Sequence, residues 1–238
     1  MGVLDVKYGS GAFMKTKEDA LLLGKAMVDI GRSFGRNVRA LITNMNVPLG
    51  YCVGNRLEVY EAVSVLTGKG DEKLTEICVE LATNMVSLAK NIDTGSAKAL
   101  VLDAISSGKA MDKMKEWISH QGGNISYLDN PSKLLCATQK KEYVAKRDGY
   151  ISKINAEGVG KASMHLGAGR ITLDTHIDFS AGIMLQKSYG DYVKAGDTIA
   201  LMYSSKAELF SSCEDELDMS IDISDKKPLE ENLIYRII

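Results

Sequence analysis

The sequence predicts an α/β protein, in which a mixed α/β domain precedes a C-terminal α+β module with a barrel-sandwich-like β part. Two observations support this fold class. Over residues 1–120, β-prone runs alternate with amphipathic helical segments, as in strand–helix–strand units. Residues 143–203 instead carry eight glycines between short β-prone runs, which is typical of a compact antiparallel or barrel-like module. We therefore expect the domains to be residues 1–142 and residues 143–238.

The N-terminal residues predict a strand, a helix and a second strand. A β-prone run at residues 3–6 leads into the turn Tyr8–Gly11. Thr16, with Asp19 three residues later, has the pattern of a helix N-cap. The apolar residues that follow recur at helical spacing: Ala20, Leu23, Met27 and Ile30. The β-prone run at residues 38–42 then predicts a second strand, parallel to the first and joined to it by a right-handed crossover.

The next part of the chain is expected to be mostly helical. Amphipathic segments run over residues 74–88, 99–105 and 111–118. The stretch Gln121–Lys133 contains two glycines and a proline with little periodicity, and we interpret it as a linker or a long surface connection.

The composition excludes several classes of protein. The 238 residues carry 29 Lys and Arg against 31 Asp and Glu, so the formal net charge is −2. Nucleic-acid-binding proteins usually have a basic patch, so we expect no nucleic-acid partner. No apolar run approaches the ~18–20 residues that span a bilayer, and the N-terminus lacks a signal pattern. We therefore expect no membrane partner and a cytoplasmic location.

Two segments are candidates for ligand chemistry. The glycines of Lys7–Phe13, between a strand and a helix, would let backbone amides approach an anion, but a plain tight turn is the favoured interpretation, because the dinucleotide and P-loop patterns are incomplete. The second candidate is Glu61, which shares a helix face with apolar residues and so needs a partner. The glycine-flanked loop 49–54 precedes this helix, and its carbonyls together with one carboxylate would suit a hard cation. A surface position, or pairing of Glu61 with a Lys or Arg, is the alternative.

Several motifs resemble the pyrimidine-nucleoside and thymidine phosphorylase family, in the order that the family has them. They are Leu4–Lys7 followed by Gly9–Met14, Pro48–Asn55 with Leu57–Val59 and Glu61–Ala62, His120–Gly123, Asp148–Tyr150, Leu166–Arg170 and the Gly190–Asp191 hairpin. The resemblance covers essentially the whole chain. It implies a glycosyltransferase that cleaves pyrimidine nucleosides with phosphate as co-substrate, which yields the free base and (deoxy)ribose 1-phosphate.

The resemblance places few site residues in this chain. Phe13 matches an aromatic wall beside the pyrimidine ring. Leu49 and Cys52, through their carbonyls, and Glu61, through its carboxylate, match half of a potassium site. The other half of that site, and the groups that bind phosphate and base, lie in family segments that match nothing here. No catalytic residue is therefore assigned.

The resemblance also implies that the chain is the C-terminal portion of such an enzyme and is inactive alone. For the intact enzyme a homodimer is expected. A non-catalytic or regulatory module, or one subunit of a split enzyme that pairs with a separate N-terminal chain, is the alternative. A dinucleotide-binding protein is less favoured, because the acidic residue expected ~20 residues after the first turn would fall within the amphipathic helix.

Overall fold

The computed structural model describes all 238 residues and contains eight α-helices and ten strands. The helices are Lys17–Ser33 (α1), Asn55–Leu66 (α2), Glu72–Lys90 (α3), Thr94–Ser106 (α4), Lys109–His120 (α5), Ser126–Asp129 (α6), Ala156–Ser163 (α7) and Phe210–Ser220 (α8). The strands are Gly2–Tyr8 (β1), Val38–Asn44 (β2), Cys52–Val53 (β3), Gln139–Val144 (β4), Gly149–Ile154 (β5), Gly182–Leu185 (β6), Tyr192–Val193 (β7), Thr198–Ser204 (β8), Ile221–Ser224 (β9) and Ile234–Ile237 (β10). None of the helices combines the length and apolar character needed to cross a bilayer. The chain divides into two compact units.

The first unit consists of residues 1–45, 64–125 and 231–238. Its sheet has the order β1-β2-β10, with β1 parallel and β10 antiparallel to β2. The predicted strand–helix–strand unit is therefore confirmed. Helix α1 begins as predicted, because the Thr16 hydroxyl accepts a hydrogen bond of 3.1 Å from the Asp19 amide.

Helix α1 packs unusually close to the sheet through two glycines. A Cβ atom added to Gly31 would lie 2.3 Å from Cγ2 of Val38, and one added to Gly24 would lie 2.8 Å from Cδ1 of Ile42. The buried residues at this contact form the core of the unit: Val6, Tyr8, Ala20, Val28, Ala40 and Ile42. The three amphipathic segments predicted after residue 70 form α3, α4 and α5. Asp71 and Asp93 cap the first two of these helices through backbone amides three residues later.

The second unit consists of residues 46–63 and 126–230. It has two open antiparallel sheets, with strand orders β3-β6-β8-β4 and β7-β5-β9. Its core buries the inner faces of these strands together with apolar residues of α7 and α8, including Ile151, Val159, Ile183, Met202 and Leu217. The predicted α+β module is confirmed, and its strands form open sheets rather than a closed barrel.

The two compact units do not follow the expected division after residue 142. Residues 46–63 belong to the second unit because β3 pairs with β6, and residues 231–238 belong to the first because β10 pairs with β2. The stretch predicted as a linker contains α6 and a short helical turn at Pro131–Leu134, with Leu128 and Leu134 buried. That residues 143–238 fold as an independent module stays a prediction.

Candidate functional site

Phe13 lies in the loop that follows β1, at the carboxyl ends of the parallel strands. This is the edge of an open α/β sheet at which ligands usually bind. Its side chain is 99% exposed, whereas the loop backbone around it is fixed. The Gly9 amide donates to the Met14 carbonyl, and the Gly11 amide donates to the Met45 carbonyl, each over 3.0 Å. A rigid loop thus presents an aromatic ring that the chain itself does not bury.

The same loop does not form an anion cradle. Its amides at Gly9, Gly11 and Ala12 all donate to backbone carbonyls, so they are not free to bind phosphate. The nearby Lys7 ammonium lies 2.8 Å from an Asp5 carboxylate oxygen and 3.2 Å from the Thr43 hydroxyl. Because Asp5 neutralises this charge locally, Lys7 is a poor phosphate ligand. The geometry supports the tight-turn interpretation of this segment.

Glu61 on α2 is buried, with 8% of its surface exposed, and this excludes the surface position considered from the sequence. Its carboxylate points at the loop before β3. One oxygen accepts a hydrogen bond of 2.6 Å from the Tyr51 amide, and the other accepts one of 3.4 Å from the Cys52 amide. Gly50, with φ +78°, permits this approach, because a Cβ atom there would lie 2.5 Å from a Glu61 oxygen.

The pairing of β3 determines which groups face Glu61. The Leu185 amide of β6 donates to the Tyr51 carbonyl over 2.8 Å, and Cys52 is paired with Met184 in the next register position. Hydrogen-bonded and non-hydrogen-bonded pairs alternate in an antiparallel ladder, so the Cys52 amide and carbonyl both face away from β6. The Cys52 amide on that side reaches Glu61. Of the predicted ligand groups, the Cys52 carbonyl therefore faces the side of β3 on which Glu61 lies, although the groups that contact the carboxylate here are amides.

The electrostatics of this site are negative. Burial and, to a smaller extent, the negative charges of Glu61 and Glu58 raise the pKa of the Cys52 thiol to about 12, so the thiol is neutral. A buried carboxylate beside backbone carbonyls is the kind of oxygen donor set that suits a hard cation. The Glu61 carboxylate and the carbonyls of Leu49 and Cys52 thus fit a cation in their donor chemistry, and their role as ligands stays a prediction.

The remaining reactive side chains do not assemble a second centre. No group of three or more His, Cys, Asp or Glu side chains is arranged to hold a metal ion. His120 and His176 are exposed, and His165 lies 4.0 Å from a carboxylate oxygen of Glu216.

One polar cluster that was not predicted from the sequence is centred on Asp178. This carboxylate accepts four hydrogen bonds of 2.6–3.0 Å, from the amide and hydroxyl of Ser180 and of Ser205. Burial raises the pKa of Asp178, but these hydrogen bonds outweigh it, so the net pKa is lowered. Only the Asp178–Ser180 turn had a local signal, since Ser205 is distant in sequence.

Comparison with known proteins relates both units to one enzyme family. The model of the glycosyl transferase family a/b domain matches residues 2–111, and that of the pyrimidine nucleoside phosphorylase C-terminal domain matches residues 150–224. The pyrimidine-nucleoside phosphorylase of Staphylococcus aureus strain USA300 is 44% identical over 237 residues, covering 99% of this chain and 54% of the relative. The proteins of strains NCTC 8325 and COL give the same values. The chain spans about half the length of the curated relatives it matches.

Proposed function

Because the chain belongs to the pyrimidine-nucleoside phosphorylase family, we propose that it takes part in the phosphorolysis of pyrimidine nucleosides. Phosphate cleaves the bond between base and pentose, which releases the free base and forms the pentose 1-phosphate. The observation that supports this proposal is the 44% identity to pyrimidine-nucleoside phosphorylases across 99% of the chain. As substrates we propose a pyrimidine nucleoside and phosphate, and for the whole enzyme a homodimer.

Phe13 is the residue that we propose for contact with the pyrimidine ring. Its position at the carboxyl ends of β1 and β2 and its exposure support this role, because an aromatic side chain outside the core is available to a ligand. A ring contact of this kind is worth about 0.5–1.5 kcal/mol beyond the buried area. In an active assembly, Phe13→Ala is therefore expected to raise KM for the nucleoside about 2- to 10-fold and to change the KM for phosphate little.

Leu49, Cys52 and Glu61 are the residues that we propose for potassium binding. The ion would neutralise the buried Glu61 carboxylate and draw the loop carbonyls toward it, so its role would be structural. We expect KCl to raise the melting temperature of the wild-type chain more than tetramethylammonium chloride at equal ionic strength. Glu61→Gln should abolish this difference, whereas Glu58→Gln, which alters an exposed carboxylate on the same helix, should retain it. An identical response of all three proteins would contradict the potassium site.

The chain by itself is expected to be inactive. The amides after β1 are engaged in the loop and Lys7 is paired with Asp5, so neither holds phosphate. Orientation of reactants contributes about 7–11 kcal/mol to such reactions. Loss of a single strong oxyanion donor costs about 2.7–4 kcal/mol. Turnover without further phosphate-binding groups should therefore fall below detection.

The decisive experiment measures base release by chromatography. The purified 238-residue chain is incubated with uridine or thymidine and phosphate, alone and after co-expression with the part of the Staphylococcus aureus USA300 relative that it does not match. We expect phosphate-dependent base release only from the co-expressed pair. Release by the chain alone that disappears in Lys7→Ala would overturn the expected inactivity. A stable pair without base release would favour the non-catalytic module.

We also propose a cytoplasmic location, in keeping with four free cysteines.

A further inference from the structure

A cleft opens at the amino end of β2 in the first unit. Its volume is about 500 Å³, which is within the range of small-molecule sites. The residues around it come from the end of α1, the start of β2, α3, the first turn of α4 and the end of β10. The Phe13 loop lies at the opposite end of this sheet, about 20 Å away, because β2 is seven residues long.

Arg39 of β2 lines this cleft without a carboxylate partner. Its side chain is half-buried, and its guanidinium is bonded only to neutral groups. Nη1 donates to Oδ1 of Asn84 over 3.0 Å and to the Ser87 hydroxyl over 3.4 Å. The N–H groups of Nε and Nη2 are left, and such a pair forms the fork that binds a carboxylate through two parallel hydrogen bonds. A half-buried charge held only by neutral groups favours an anionic ligand.

The two groups that hold Arg39 are buried and have fixed orientations. The Asn84 side-chain amide donates to the Glu80 carbonyl over 2.9 Å and to a Glu80 carboxylate oxygen over 3.1 Å, which leaves the Asn84 oxygen for Arg39. The Ser87 hydroxyl donates to the Ile92 carbonyl over 2.7 Å, so its oxygen accepts from Arg39. Helix α3 therefore preorganises the guanidinium, which lowers the cost of binding a ligand.

The charges around the cleft favour a singly charged anion. Arg39 and Arg32 contribute two positive charges and Glu80 one negative charge, so the lining has a net charge of +1. Arg32 adds little to the attraction, because it is exposed and lies 3.7 Å from a carboxylate oxygen of Asp29. Apolar residues also line the cleft: Val38, Leu88 and Ile237. A monocarboxylate with an apolar body fits this lining better than a phosphate dianion.

We propose that this cleft binds a small monocarboxylate with an apolar body. The carboxylate would accept hydrogen bonds from Nε and Nη2 of Arg39, and the apolar body would contact Leu88 and Ile237. The proposal concerns binding at this cleft and does not depend on phosphorolysis. Ile238 lines the same cleft, so its terminal carboxylate is the competing partner of Arg39.

Saturation-transfer nuclear magnetic resonance with the purified 238-residue chain measures the Kd values of pentanoate and acetate. We expect pentanoate to bind at least tenfold more tightly than acetate, because it has three more methylene groups to place against the apolar residues. Inorganic phosphate at the same concentration should displace little pentanoate, since the cleft offers a net charge of only +1.

Replacement of Arg39 tests the residue that carries the proposal. Arg39→Gln should raise the Kd for pentanoate at least tenfold, because it removes the charge and the fork. Arg36→Gln is the matched control, because Arg36 is an exposed arginine outside the cleft, and it should change the Kd less than about twofold. Circular dichroism shows whether each variant folds.

A second variant covers the case in which Arg39→Gln does not fold. Ile237 is 41% exposed, so its replacement should disturb folding little. Ile237→Glu places a negative charge in the cleft and should raise the Kd at least tenfold. Ile237→Gln has the same shape without the charge and should raise it less than about threefold.

Four results would overturn the proposal. They are no pentanoate binding by the wild-type chain, equal affinity in wild type and Arg39→Gln, equal affinity in Ile237→Glu and Ile237→Gln, and displacement of pentanoate by phosphate at equal concentration. A chain extended by two glycines after Ile238 separates the remaining alternative. Binding by the extended chain alone would identify the terminal carboxylate as the partner of Arg39 and would also overturn the proposal. Equal binding by the two chains would support it.

Discussion

Replacement of Glu61 by Ala should destabilise the second unit by about 2–3 kcal/mol, because a hydrogen bond to a charged group contributes ~1.5–3 kcal/mol and an unpaired buried donor costs ~1–3 kcal/mol. The Tyr51 amide donates to the carboxylate over 2.6 Å and would lose this partner on truncation. The Cys52 amide at 3.4 Å adds little, since that distance is at the long limit for a hydrogen bond. The effect should therefore come mainly from the Tyr51 amide.

This loss can be measured as a decrease in the free energy of unfolding by urea, followed by circular dichroism, or as a decrease in the melting temperature. For a chain of this size, ~1 kcal/mol corresponds to about 2–4 °C in melting temperature, so Glu61→Ala should melt about 4–12 °C lower. Glu61→Gln keeps an oxygen for the Tyr51 amide and should lose only about 1 kcal/mol. Glu58→Ala is the control on the same helix. The Glu58 carboxylate also accepts a hydrogen bond from a backbone amide, that of Gly54 over 3.2 Å, but Glu58 is exposed to solvent. If Glu61→Ala costs no more than Glu58→Ala, the structural role given to the buried carboxylate is refuted.

Three further predictions concern other parts of the chain. The pKa of Asp178 is lowered in the folded state, so its stabilisation is present above the unfolded pKa of ~3.9 and is lost as pH falls through the lower folded value. The difference in the free energy of unfolding between wild type and Asp178→Asn should therefore decrease as the pH is lowered. A difference that does not change with pH would contradict this. The pKa values of Cys52 and Cys213 are raised to about 12, mainly by burial. Iodoacetamide at about pH 8 should therefore modify only the exposed Cys78 and Cys136, and equal rates of modification at all four cysteines would contradict this. Limited proteolysis should cut first within Gln121–Lys133, and earlier cleavage inside residues 143–203 would argue against the predicted module.

The strand–helix–strand unit at the N-terminus could be predicted because its signals are local. The Thr16 N-cap, the spacing of apolar residues in α1 and the β-prone run of β2 each depend on neighbours within a few residues. The helical spacing of Ala20, Leu23, Met27 and Ile30 predicts a single apolar stripe. The structure divides these residues, because Ala20 is buried together with Gly24 and Val28, whereas Leu23, Met27 and Ile30 are exposed. Small residues were needed at the sheet because α1 packs so close to it.

The division into units could not be predicted, because it depends on pairing between distant segments. Strand β3 has two residues and no periodicity of its own, yet its pairing with β6 assigns residues 46–63 to the second unit. Strand β10 likewise inserts beside β2 from the far end of the chain. A sequence pattern indicates that a segment favours a strand, but it does not say which of several strands will accept it.

For Glu61, the sequence predicted the direction of the side chain but not the groups that it contacts. The direction followed from local features, since a glycine-flanked loop leads into a helix that turns Glu61 back toward it. The choice between amides and carbonyls depends on β6, because its hydrogen bond to the Tyr51 carbonyl fixes the orientation of β3. That orientation directs the Cys52 amide and carbonyl to the same side of β3, and the amide is the group that contacts the carboxylate. A cation would then replace the two amide contacts only if the loop turned its carbonyls inward. The rise in melting temperature that KCl causes in wild type but not in Glu61→Gln would therefore test this loop rearrangement as well as potassium binding.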